Sequence, residues 1–319
     1  LPGSHKTRSI TTRSLPHAAL LASAVLLLAA CSSTGGSQHG GSGGDAIGTI
    51  ITPSPTPDPY GTTLSTYVGP VNDALGKLTQ AGSMTDLDTA LRTLEQAANS
   101  GSNGLQTTMV PSEVSDDNRQ LSVALDTLST NVATVQTDVK DDKVCATSST
   151  MAEVGGMQGL KDVQTALQTI AGAGYKTDFT VPQTGSLQHR ALDNGSFVRE
   201  GHDDGSGELT VDNSGGDADA VLTLTQNGQA AYSFYVVKGK TAKISGIRDG
   251  HYDIYFSGGF DWDSDAKKFT QSCSFTKFEQ GADYTTTSTT YATYTLTLHA
   301  SVGGNAPTTD VPPDQYPMP

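Results

Sequence analysis

Apolar positions follow two periods along this chain, and the change of period divides it. Between residues 62 and 172 they recur at steps of three and four. Leu64, Val68, Val71, Leu75 and Leu78 mark one helical face, and Leu87, Leu91, Leu94 and Ala98 mark a second. The longest stripe is Leu121, Leu125, Leu128, Val132, Val135 and Val139; the last is Leu160, Val163, Leu167 and Ile170. Start and stop signals frame these stripes. Ser83 with Asp86 reads as an N-cap pair. Ser115 reads as a cap followed by Asp116 and Asp117, whose negative charge suits a first helical turn. Gly101 to Gly104 read as a break, and Gly172 with Gly174 as a stop. Pro70 falls inside the first stripe, so that helix kinks or begins there. Narrow stripes rich in Val and Ala must bury one another. They predict an antiparallel bundle of four helices over residues 62–175.

Beyond residue 206 the period shortens to two. Leu209 and Val211 alternate with polar neighbours. Val221 to Leu224, Tyr232 to Val237 and Thr241 to Ile247 follow, then Tyr252, Ile254 and Phe256 beyond the turn pair Asp249-Gly250. Phe269, Cys273, Phe275 and Phe278 mark another strand, and Tyr291 to His299 the last. About seven short strands with one polar face predict an antiparallel β-sandwich over 206–300. The expected fold class is therefore α+β, with the helical bundle N-terminal and the β-sandwich C-terminal. Residues 176–205, with Pro182, Gly185 and Gln188-His189-Arg190, read as an irregular connector. Residues 301–319 hold five prolines and read as a disordered or surface-draped tail.

The N-terminus adds a location. Residues 5–13 are basic, and Leu15 to Ala30 are apolar and uncharged. That run is shorter than the ~20 residues a stable span needs, so residues 1–30 read as a removable signal peptide. Leu26-Leu27-Leu28-Ala29-Ala30-Cys31 resembles a bacterial lipobox. The resemblance implies cleavage before Cys31 and a covalent diacylglycerol on its sulfur, the best nucleophile among side chains. The mature chain would then sit on the cell membrane, lipid-anchored and facing outside. The alternative is an ordinary secretory signal with an incidental thiol. Residues 31–60 read as a tether. They are Ser/Gly-rich up to Gly44, then carry Pro53, Pro55, Pro57 and Pro59 in a polyproline-like run. Stretched, the tether reaches at most about 100 Å.

Charge and cysteines narrow the function classes. The net charge is −14. Residues 1–30 hold three basic groups and no acidic one, so their removal takes it to −17. Such acidity opposes binding to nucleic acid or to an anionic lipid surface by charge. With Cys31 lipidated, Cys145 and Cys273 remain. In an oxidising compartment they either pair, joining the helical and β halves, or stay as two buried free thiols.

No catalytic constellation is visible. Asp261, Asp263 and Asp265 share the spacing of a calcium loop, but its glycine and glutamate positions hold Ala266 and Ser272. A solvated turn beside Trp262 is the simpler reading, with no metal. The Asp203-Asp204 and Asp217-Asp219 loops could add oxygens only after folding. His39, His189, His202, His251 and His299 match no zinc spacing. No nucleophile elbow, phosphate loop or dinucleotide fingerprint is present.

Several stretches carry a resemblance. Gly69-Pro70-Val71-Asn72-Asp73-Ala74-Leu75, with Cys145, resembles the helical part of uncharacterised actinobacterial lipoproteins. Gly207 to Asn213, Gly259-Phe260-Asp261-Trp262-Asp263 and Ser301 to Ala306 resemble a β-sandwich module of such envelope proteins. The resemblance implies location and fold, and no site. Ile247 to Tyr252 is similar to a turn-and-tyrosine hairpin of prealbumin-like and collagen-binding B-type surface modules. The reading is a membrane-anchored extracytoplasmic lipoprotein, a non-enzymatic interaction or scaffold module. Its expected partners are the membrane, through the lipid, and an envelope protein or the cell wall; nucleic acid is not one. It has no cofactor beyond that lipid. The alternatives are an envelope small-ligand or metal-binding protein and, further off, an envelope hydrolase.

Overall fold

The structure, a computed structural model, describes residues 59–298 and 307–319. The signal peptide, Cys31, His39, His299 and nearly all of the tether lie outside the described residues, as does the 301–306 part of the tail. The protein is α+β, with five helices preceding its sheets. They are α1 (Pro59–Thr79), α2 (Met84–Thr107), α3 (Ser115–Lys140), α4 (Thr147–Gly156) and α5 (Gln158–Gly172). No described helix is long and apolar enough to cross a membrane.

The apolar stripes bury together. Leu64, Leu91, Leu125 and Val163 are among the fully buried residues of one core shared by α1, α2, α3 and α5. Helix α1 starts at Pro59, so the tether ends before residue 60, and it runs through Pro70, which is exposed. Ser83 caps α2 as its spacing predicts: its Oγ accepts from Asp86 N at 3.1 Å.

Three helical expectations change. Helix α2 does not break at Gly101 to Gly104, because these residues touch α1. A Cβ on Gly101 would lie 2.8 Å from Tyr67 O, and one on Gly104 would overlap the Tyr67 ring. Small residues here serve close helix packing. Ser115 is the first residue of α3 and not its cap; a 3-10 turn at Ser112–Val114 leads in, and Val114 is fully buried. The last predicted helix is α5, and an additional helix, α4, precedes it; the two are separated at Met157, whose backbone is extended at φ −56° and ψ 130°.

The β part forms two sheets. Their strands are β1 (Phe197–Arg199), β2 (Gly207–Asp212), β3 (Asp219–Gln226), β4 (Gln229–Val236), β5 (Thr241–Ile247), β6 (Gly250–Asp263), β7 (Lys268–Phe278), β8 (Ala282–Tyr284), β9 (Thr293–Thr297) and β10 (Thr308–Asp310). One sheet runs β1-β4-β3-β6-β7-β10, with β8 beside the start of β6; the other is β5-β2-β9. All pairs are antiparallel except β2–β9, which is parallel. Leu209 and Ile244 of the smaller sheet share a core with Leu222, Phe234 and Ile254 of the larger. Asn227 and Gly228, both in the left-handed region at φ 53° and 76°, close the β3–β4 hairpin.

Three β expectations also change. Asp249-Gly250 does not close a hairpin: it carries the chain from β5 in one sheet to β6 in the other. Tyr252 does pack inward, and its hydroxyl donates to Arg248 O at 3.2 Å. Strand β6 does not stop near Phe256 but continues to Asp263, so Asp261 and Trp262 are buried strand residues and not a solvated turn. The tail returns to the sheet. Residues 308–310 pair with β7, and Tyr316 is buried with its hydroxyl 3.4 Å from Thr223 Oγ1.

Candidate functional site

The polar residues singled out around Trp262 meet the connector at the junction of helices and sheet. Asp261 lies on a bulged part of β6, where β6 extends beyond β3 and offers an open edge. Arg190 fills it: Trp262 N donates to Arg190 O at 2.8 Å, and Arg190 N donates to Asp261 Oδ1 at 2.9 Å. The guanidinium completes the grip. Its Nε and Nη2 donate to the two Asp261 oxygens, each at 2.8 Å, and Nη1 donates to Asp263 at 3.1 Å. Thr270 Oγ1 of β7 donates to Asp261 Oδ2 at 2.6 Å. This fork geometry is the strong form of a charge-assisted bond.

The network also explains the backbone. Asp261 sits at φ 54°, a conformation Asp tolerates better than most residues, and five hydrogen-bond donors and acceptors around it fix that choice. The Arg190 guanidinium and then the Thr270 hydroxyl hold the Asp261 carboxyl far below the usual range, against the opposing effect of burial. Asp263 is lowered by the Ala266 amide and by Arg190. The same two carboxylates hold Arg190 above its ordinary value. Groups held ionised so firmly cannot exchange protons near neutrality. The arrangement suits a lock, not acid–base work.

A second fastening lies beside it. The loop between α3 and α4 runs along the outer edge of β7. Cys145 N donates to Thr270 O at 3.0 Å, Ser272 N to Lys143 O at 2.9 Å, and Cys273 N to Asp142 O at 2.9 Å. Ser149 Oγ, in the first turn of α4, donates to Thr270 O at 2.7 Å. Cys145 and Cys273 are disulfide-bonded, with Cα atoms 6.3 Å apart. Cys145 belongs to the loop after α3, not to the helix. The other half of the same β7 edge is covered by β10, so the strand has little open edge left.

Between these fastenings lies a groove of about 450 Å³. Leu78 at the end of α1, Ser148 of α4, Leu187 of the connector and Arg190 line it. The other residues weighed in the sequence lie elsewhere. Asp265 is exposed and gives only a backbone amide to Asp263. Asp204 pairs with Arg248 at 2.5 Å, and Asp219 accepts from Tyr235 OH at 2.5 Å and Lys238 N at 2.7 Å. His251 pairs with Asp283 at 2.7 Å on the surface, and His189 and His202 are exposed. Among the described residues no cluster of three His, Cys, Asp or Glu side chains is placed to hold a metal.

Sequence reasoning missed Arg190. It stands 71 residues from Asp261, inside a stretch with no periodicity. A lone Arg between His189 and Ala191 carries no local signal for the acid it will meet. No protein-family model matches the chain, and no curated protein or solved structure matches it either.

Proposed function

We propose that the chain is an exported lipoprotein, anchored to the outer face of the cell membrane through Cys31, that acts as a non-catalytic interaction or scaffold module of the envelope. The finer architecture belongs to the same proposal: the helices form an antiparallel bundle, and the two sheets form a β-sandwich. The observation that carries the reading is the double fastening of the junction, a disulfide beside an Arg–Asp fork. A disulfide of this kind persists outside reducing compartments. A junction locked by both bonds transmits position and not chemistry, which is what a scaffold needs. The lipobox-like run ending at Cys31 supports the anchor, and the Ser/Gly/Pro composition of the tether supports a module held away from the lipid surface.

Two measurements test this. Intact mass of the membrane-extracted protein should show residues 1–30 removed and a diacylglycerol adduct on Cys31; a free Cys31 thiol or a different mature end would end the anchoring proposal. In-cell cross-linking followed by mass spectrometry should capture one reproducible envelope protein or cell-wall glycan. Turnover of an envelope substrate by the purified protein would replace the scaffold reading with the hydrolase alternative.

A further inference from the structure

The outer strands of the two sheets are not equally protected. An open strand edge is a template for pairing with another chain, and charge, proline, shortness or a bulge ordinarily blunts it. Strand β1 has three residues and ends in Arg199, beside Glu200. Strand β8 has three and contains Asp283. Strand β10 has three, ends in Asp310 and lies between Pro307 and Pro312. Strand β5 carries Lys243, with Lys240 just before it, and its register with β2 shifts after Gly207. Strand β9, Thr293–Thr297, has none of these devices. Its pairing with β2 runs without a shift, and no charged residue or proline occurs from Thr285 to Leu298.

The open side of β9 is uniform. Ala292 O accepts from Glu208 N at 3.2 Å, and Leu298 N donates to Asp212 O at 3.0 Å. In a parallel ladder of this register, residues 292, 294, 296 and 298 turn their backbone groups to β2. The N–H and C=O groups of Thr293, Thr295 and Thr297 therefore point away from the sheet, and no strand pairs with them among the described residues. Thr293 and Thr295 are exposed, while Tyr294, Leu296 and Leu298 pack on the inter-sheet core and stay only half-buried.

Two features fit this edge to a second copy of itself. The first is symmetry. Antiparallel to a copy and centred on Thr295, the strand sets Thr295 against the partner's Thr295 and Thr293 against the partner's Thr297. These threonines exchange backbone bonds, and Thr–Thr is a favourable cross-strand pair. Tyr294 then faces the partner's Leu296, which covers two half-exposed side chains. The second feature is charge. At a net −14, two copies repel over most of their surface. Along β9 they meet without charge. Next to it, Glu208 is neutralised by Lys243 at 2.8 Å, and Asp212 accepts from Thr241 of β5, away from the edge.

We propose that two copies of the chain pair through β9, antiparallel about Thr295, so that their smaller sheets join into one. This is an isologous two-fold contact, the commonest kind in homo-oligomers. It goes beyond the scaffold reading and rests on neither the lipid anchor nor an envelope partner. The test uses the full chain, extracted in detergent from expressing cells. Thr295→Cys sets two thiols across a hydrogen-bonded pair, roughly 5.5 Å between Cα atoms, and a short bis-maleimide should convert most of it to covalent dimer. Thr293→Cys and Thr297→Cys should cross-link little alone and strongly when co-expressed, because each faces the other. Ser245→Cys, exposed on β5 at the far side of the same sheet, should give no dimer. In sedimentation the parent should be a dimer. Thr295→Lys sets like charges face to face and should raise the dissociation constant at least about tenfold, while Thr295→Val should behave as the parent. Unchanged Trp262 fluorescence shows that each variant is folded.

The proposal is overturned if the parent stays monomeric up to about 100 μM or if a folded Thr295→Lys variant dimerises like the parent. It is also overturned if Ser245→Cys cross-links as well as Thr295→Cys, if the co-expressed Thr293→Cys and Thr297→Cys variants do no better than each alone, or if Thr295→Cys is captured only on a different protein. None of these results touches the mass of Cys31, so the anchoring proposal fails or stands separately.

Discussion

The helical and β parts solve the same burial problem with different materials. The core of α1, α2, α3 and α5 is almost entirely aliphatic, and its contacts join neighbours in the chain order. The β part buries rings. Tyr232, Tyr252 and Tyr284 pack edge on within the inter-sheet core, and Tyr235, Trp262 and Phe269 cluster on the other face of the larger sheet. Helices satisfy their own backbone, so packing needs only a stripe of carbon. Sheets leave edges, and in the larger sheet those of β6 and β7 are closed by distant segments: Arg190 on β6, and residues 142–145 with residues 308–310 on β7. The part that looks less regular is thus the part that ties the molecule together.

The largest test of this contrast removes Trp262, the sole tryptophan. Trp262→Ala should cost about 4 kcal/mol, and Leu125→Ala in the helical core about 3 kcal/mol. Far-ultraviolet dichroism follows the helices, while Trp262 fluorescence follows the β part. In the parent chain the two urea transitions should coincide; two separate midpoints would show that the parts unfold independently.

Asp261→Asn comes next, at about 3 kcal/mol, because it strips a buried carboxylate from its arginine and leaves a strained backbone without its anchor. It also has a pH signature. The folded carboxyl is held below its ordinary value, so its contribution is complete above about pH 4 and fades as pH falls from there toward the folded pKa. Acid titration of the parent should show this loss, and the variant should show a shallower one. Equal acid slopes would remove the Arg190–Asp261 pair from the stability of the junction.

Replacing both cysteines by serine should cost about 2–3 kcal/mol, since the bond spans 128 residues of sequence. The informative readout is the gap between dichroism and fluorescence midpoints, which should widen when the helical and β parts lose this link. An unchanged gap would assign the coupling to the Arg190 fork alone. Gly101→Ala is the smallest effect, about 1–2 kcal/mol, from a methyl driven against Tyr67 O. A stabilised variant would show that α1 and α2 can separate to admit it.

The residues chosen for these tests also show where local reading stopped. The period of three and four located all helices except α4, whose ten residues Thr147–Gly156 hold too few apolar positions to make a stripe. The glycines of α2 looked like a break because Tyr67, the group that needs them, lies on another helix. Alternation located most strands, but β1, β8 and β10 have three residues each, too few for any period to show. Asn227-Gly228, which closes the β3–β4 hairpin, was passed over in the sequence although that dipeptide favours such a turn.

By itself the sequence determined the α+β order, the faces that would be buried and the availability of Cys145 and Cys273 for pairing. Each is a matter of spacing or of residue type, and both survive folding unchanged. Only the tertiary structure decided that β6 runs on to Asp263, that Arg190 closes its open edge and that the tail adds a strand to β7. These depend on which distant backbone edge lies unpaired, and an unpaired edge exists only after the other strands have taken their places.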